Sequence, residues 1–174
     1  MVDDTGPREG HPFRFAVAVV PSPASAPSPL LPLTPDDQEN DVGLSIRAGR
    51  PNGPLPSDPL PQWSYAGFSL FRRGIASHIG INLSQMHGYG GGRRWSSVTS
   101  PLRHLLDHDD DRGELTPEQA RELAPALSEA LAELGRSDPD GLLWGPDGYN
   151  GRVGREFVDL LTLCAEEDVP AVFC

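Results

Sequence analysis

The chain has no lysine, two cysteines and no long apolar run, and each shortage removes a class of function. A Walker-type phosphate loop requires a lysine, so that nucleotide fold is excluded. All fourteen basic residues are therefore arginine, a usage that follows codon composition and does not by itself make an arginine-rich binding motif. Cys164 and Cys174 lack a metal-binding spacing, and neither has a neighbouring His or Arg in sequence that would activate a thiol. No apolar stretch approaches the roughly 20 residues of a membrane span. Phe15 to Val20 precedes Ala24-Ser25-Ala26, but that apolar core is shorter than the roughly 7 to 15 residues of a secretion signal and follows two Asp. The expected location is the cytoplasm.

What is present is 174 residues, enough for one domain and an arm. Apolar content is low at 37%, and Gly and Pro contribute 19 residues each, so part of the chain is expected to lie outside a packed core. The net charge of -11 repels phosphate backbones and anionic membranes. Arg72-Arg73 and Arg93-Arg94 are the densest basic pairs, too sparse to overcome that field. The expected partner is a protein, with no nucleic acid and no membrane.

Residues 1–12 are polar and expected to fray. Residues 13–20 alternate as a short strand. Eleven of the nineteen prolines fall between Pro21 and Pro61, a density that regular helices and central strands do not tolerate. Within it, residues 41–47 alternate as one further edge strand. This divides the chain into a proline-rich N-terminal arm with short strands, residues 1–62, and a helical domain, residues 63–174. The fold class expected is mainly α, a compact domain of about four helices with one or two short N-terminal strands; the alternative is α+β.

Phe68, Phe71, Ile75 and Ile79 form the stripe of a first helix, stopped at Gly80 with Ile81 just beyond. Asn82 and Gln85 are a capping pair for a single turn ending at Met86. His87-Gly88-Tyr89-Gly90-Gly91-Gly92-Arg93-Arg94-Trp95 lacks the strand before and helix after that a dinucleotide fingerprint needs, so it is read as a flexible loop. Ser100-Pro101 starts the next helix, with Leu102, Leu105 and Leu106 inward and His104, Asp107 and His108 on the other side. His104 and His108 are one turn apart and with Asp107 nearby could share a metal. Thr116, Pro117 and Gln119 open the clearest helix, whose core stripe is Ala120, Leu123, Ala124, Leu127, Leu131 and Leu134, bent at Pro125 and closed by Gly135. A turn-rich loop with Trp144 and Tyr149 leads to a last helix through Val153, Phe157, Leu160, Leu161 and Cys164. The tail 169–174 is expected to tuck in as a strand.

Six acidic residues fall between Asp107 and Glu118, and they allow two registers of a calcium-binding loop. With Asp107 first, Asp107, Asp109, Asp111 and Glu118 supply oxygen ligands, but Arg112 occupies the sixth place, where a sharp turn calls for glycine. One residue later, Gly113 is sixth and Leu115 eighth, while His108, Arg112 and Gln119 take ligand places. The loop is a degenerate EF-hand-like one. Its charges also sit at a helix N-terminus, which favours them without any ligand.

Phe71-Arg72-Arg73, Met86-His87-Gly88-Tyr89-Gly90-Gly91, Trp95, Pro101-Leu102, Leu105-Leu106-Asp107-His108, Gly113-Glu114-Leu115-Thr116-Pro117-Glu118 and Phe173-Cys174 resemble a group of small uncharacterised actinobacterial proteins. The likeness covers residues 63–174, and in that group the loop reads His-Ser-Asp-x-Asp-Gly-x-Leu-Thr. The resemblance implies no catalytic residue, and Arg112 here replaces the loop's second aspartate.

Three functions follow as expectations. The first is a small acidic soluble protein that binds a protein partner in a regulatory or immunity-like way, using its charge and exposed aromatic loops. The second is a small enzyme with His87, Arg93, Arg94 and His104 around the glycine-rich loop as base and anion-holding groups. The third is a calcium-binding protein using Asp107, Asp109, Asp111 and Glu118. No cofactor is expected, calcium being the one ion the acidic run could take. An enclosed pocket joining His87, the arginines and His104 would favour the enzyme; a flat acidic face would favour binding.

Overall fold

The computed structural model describes residues 43–109 and 112–174. The expected strand at 13–20, the first part of the proline-rich stretch and Asp110 and Asp111 lie outside the described residues.

Helix α3, Pro117–Arg136, begins where local chemistry places it. The Thr116 hydroxyl accepts from the Gln119 amide while the Gln119 side-chain carbonyl accepts from the Thr116 amide, closing two donors a helix start leaves open. Ala120, Leu123, Ala124, Leu127 and Leu131 are buried and Leu134 partly so, as the stripe requires. Gly135 does not end this helix: it is helical, Ser137 is the cap, and a Cβ at 135 would lie 3.2 Å from the Trp144 carbonyl oxygen. Pro125 stands inside the helix.

Helix α4, Tyr149–Glu167, packs along α3 and buries Val153, Phe157, Leu160, Leu161 and Cys164. Gly154 lets the helices approach, since a Cβ there would come within 3.0 Å of Leu131 and Phe71. Helix α1, Tyr65–His78, starts with the Ser64 hydroxyl accepting from the Gly67 amide. It ends as expected: Gly80 is left-handed at φ 70°, its N–H donates to Ser77 and that of Ile81 donates to Ala76. Helix α2 is a single turn, Arg103–Leu106, with Leu102, Leu105 and Leu106 buried. It is shorter than expected because the chain turns at His108, whose carbonyl accepts from a buried Arg72 at 2.6 Å.

The fold is mixed α+β, the alternative expected, and not mainly α. Strands β1 (Gly43–Ala48), β2 (Gln62–Ser64), β3 (Glu114–Leu115) and β4 (Ala171–Phe173) form one antiparallel sheet in the order β2-β1-β4-β3. The tail strand expected at 169–174 is β4; β2 and β3, three and two residues long, are too short for alternation to register in sequence. The strand read as an edge is interior: β1 lies between β2 and β4 and buries Leu44, Ile46 and Ala48. β1, from the stretch read as an arm, pairs with β2 at the end of that stretch and with β4. Trp63 of β2 joins sheet to helices, with ring centroids 5.4 Å from Phe68, 5.0 Å from Phe71 and 5.9 Å from Phe157. Among the described residues no helix is long and apolar enough to cross a membrane.

Candidate functional site

The described residues of the acidic loop lead from α2 into β3 and α3, and after Arg112 they match the glycine place of one register. Gly113 has φ 99° and Leu115 is buried in β3, the sixth and eighth places of the register that begins at His108. β3 pairs with β4. The first ligand place therefore holds an imidazole stacked on Phe173 with ring centroids 3.9 Å apart. Its Nδ1 lies 2.7 Å from the Asp109 carbonyl oxygen, an acceptor, so Nδ1 carries the proton. A Cβ on Gly113 would crowd that ring at 3.3 Å.

The carboxylates of the competing register are turned to other uses. Asp107 stands at the C-terminal cap of α2, where its backbone amide donates to the Arg103 carbonyl, and desolvation raises its carboxyl above the ordinary range while nearby His87 opposes the rise. Asp109 makes an exposed pair with Arg112 at 3.7 Å, of a kind that contributes little. Glu118 lies in the first turn of α3, where its own backbone amide and the Thr116 side chain hold its carboxyl below the ordinary range. Asp111 lies outside the described residues. Among the described residues no three His, Cys, Asp or Glu side chains gather closely enough to hold a metal. His104 and His108 are committed apart, the former to Glu122 with Nε2 3.0 Å from Oε2.

Calcium at sensor-level concentrations is accordingly expected to leave the melting temperature unchanged. An ion present at a hundredfold its Kd would add about 2.7 kcal/mol, readily seen in a melt. A rise abolished by Asp109→Ala with Asp111→Ala would establish the other register as a working site.

The glycine-rich segment is a closed loop rather than a flexible one. The His87 amide donates to the Arg93 carbonyl at 2.8 Å, the Arg93 amide to Gln85 at 2.9 Å, and those of Tyr89 and Gly91 both to Met86 at 3.1 Å. Those four amides are spent on the chain itself and none is offered to an anion. A Cβ on Gly91 would lie 2.0 Å from the Gln85 carbonyl carbon, which explains a glycine there. Tyr89 seals one side by donating its hydroxyl to Leu106 at 2.9 Å, and Trp95 the other through Nε1 to His87 at 2.9 Å.

The four groups expected around this loop do not converge. His87 lines a cleft of about 520 Å³ with Ser69, Arg72, Tyr89, Asp107 and His108. His104 lines a smaller one of about 270 Å³, which shares Trp95, Asp107 and His108 as a wall. Arg93 and Arg94 line neither and are exposed, and the Arg93 Nε donates to Ser97 at 3.1 Å. The residue the sequence reading missed is Arg72. Its guanidinium lies over the Phe68 and Tyr89 rings at 5.0 and 5.2 Å, and burial makes it a fixed charge in the wall of the larger cleft.

The aromatic residues expected to be exposed are mostly not. Trp95 and Trp144 are buried and Tyr89 is partly buried, leaving Tyr149 exposed. Among the described residues the most exposed large apolar side chain is Leu142, in the loop between α3 and α4, followed by Leu70, Leu55, Leu60 and Leu143. Charge is segregated along the chain: residues 59–106 contain five arginines and no acid, whereas seventeen of the twenty-five acids lie from Asp107 onward. Sequence patterning of this kind was legible but masked by the net charge. No protein-family model, curated protein or solved structure matches the chain.

Proposed function

We propose that this chain acts in the cytoplasm by binding a protein partner of basic character, in the manner of a regulatory or immunity protein. The observation that carries the reading is the excess of acid over α3, α4 and the loops beside them, seventeen acids against five arginines from Asp107 onward. An acidic excess of this kind steers and selects a partner of opposite sign and repels nucleic acid and anionic lipid. The enzyme reading is weaker because His87 and His104 line different clefts and the two arginines line neither. The resemblance to the actinobacterial group belongs to the same proposal and adds no residue to it.

The test is capture on the tagged full chain at low salt, identification of the bound protein, and rebinding of the two purified proteins. The expected partner has net positive charge, and its Kd rises by about tenfold or more between about 0.05 and 0.5 M salt. A partner whose Kd is insensitive to salt, or no protein that rebinds when purified, would overturn the proposal.

A further inference from the structure

Residues 137–148, between α3 and α4, form a heavily braced loop that leaves two leucines in water. The Asp138 carboxylate accepts from the amides of Leu143 at 2.9 Å and Trp144 at 2.7 Å, and these bonds hold it below the ordinary carboxyl range. The Gly141 amide donates to the Asp138 carbonyl at 3.1 Å, with Gly141 left-handed at φ 64°. From α4, the Gly151 amide donates to the Leu143 carbonyl at 3.1 Å, and the Arg155 guanidinium donates to that of Pro146. A Cβ on Gly145 or Gly148 would fall 2.6 Å from loop backbone, and one on Gly151 2.1 Å from the Gly145 carbonyl oxygen. Beneath, Trp144 stacks on Phe71 with centroids 5.6 Å apart.

So fixed a backbone could have turned its apolar residues inward. It buries Trp144 and instead holds Leu142 79% and Leu143 46% exposed. Adjacent leucines kept in water on a rigid loop lose little conformational freedom when they dock, which is the condition for an effective anchor. Within the loop Asp140 and Asp147 are exposed, while of the arginines beside it Arg136 pairs with Glu133 and Arg155 is held on the Pro146 carbonyl. We infer that Leu142 and Leu143 are the apolar anchor by which the chain docks into a pocket with a basic rim on its protein partner. This rests on the partner-binding reading above and adds where the contact is made.

A photo-crosslinking residue placed at Leu142 of the full chain, with Ser128 on the exposed side of α3 as control, tests it in cells. The expected result is one identified protein joined from position 142 and not from 128. Purified, that protein should bind Leu142→Asp with Leu143→Asp at least about tenfold more weakly than the unmodified chain, while the variant's melting temperature stays unchanged and Leu142→Met binds normally. If the captured partner binds the double variant with undiminished affinity, the partner-binding reading stands and this inference falls. Crosslinking from 142 to a second copy of the chain, no crosslink at 142, or loss in the double variant of binding to zwitterionic lipid vesicles would also overturn it.

Discussion

Trp144→Ala is expected to destabilise the chain by about 3 to 5 kcal/mol and to reverse the sign of a second substitution, Gly74→Ala. Trp144 is nine-tenths buried and fills the space over α1 where Gly74 has no side chain. A Cβ at 74 would lie 2.1 Å from Cζ2 of the indole and 2.7 Å from Cη2. In the parent chain, Gly74→Ala gains about 0.5 to 1 kcal/mol of helix preference but overpacks the indole at about 1 to 3 kcal/mol. The net is a loss. With the indole removed, the new methyl enters vacated volume and the helix gain alone remains, so Gly74→Ala should then stabilise. Urea unfolding of the four proteins measures the coupling; strictly additive effects would show that the loop does not lean on α1 in this way.

Phe173→Ala is expected to cost a similar about 3 to 5 kcal/mol, with an effect on the acidic loop that its volume alone does not predict. The Phe173 ring packs edge-on to Phe68 and Phe157, at 6.2 and 6.3 Å, and stacks on His108. Its amide donates to the Gly113 carbonyl at 3.0 Å. One residue of β4 thus joins the core to the loop's first and sixth places. Amide exchange at residue 173 and at Leu115 should accelerate in the alanine variant beyond the change in global stability, and Phe173→Leu should restore most of the stability and less of the protection. Equal protection in all three proteins would mean that the loop holds its shape without the ring.

The helices were legible because their determinants are local. Thr116 and Gln119 meet within one turn, Gly80 and Ile81 close on Ser77 and Ala76, and the stripe of α4 repeats at the period of its own backbone. Of the sheet, β1 and β4 were legible as short strands at 41–47 and 169–174, whereas β2 and β3 acquire their meaning from partners far away in sequence. Gly135 misled for the same reason: it reads as a stop, and only the Trp144 carbonyl beside it explains why a glycine lies inside the helix.

The candidate site was legible as a place and not as an arrangement. The acids at 107–118 mark the loop, yet His108 at its start is held by Phe173 stacked on its ring and by Arg72 on its carbonyl. Neither contact leaves a periodic trace. The wall of the larger cleft was missed likewise, since Arg72 reads as half of a surface pair and is buried. Trp144 and Leu142 exchange the roles that hydropathy and aromatic character suggest, because the bracing of the loop, and not either side chain, decides which points inward.

The place of β1 in the sheet has a consequence during synthesis. One of its edges can pair with β2 soon after both emerge, but the other is met only by β4, which begins at Ala171. At about 5 to 20 residues per second, β1 waits on the order of ten seconds for that neighbour. Helices α3 and α4 can already be paired by then, so the nascent domain passes through a stage in which its helical half is built while a strand bearing Ile46 and Ala48 keeps an open hydrogen-bonding edge.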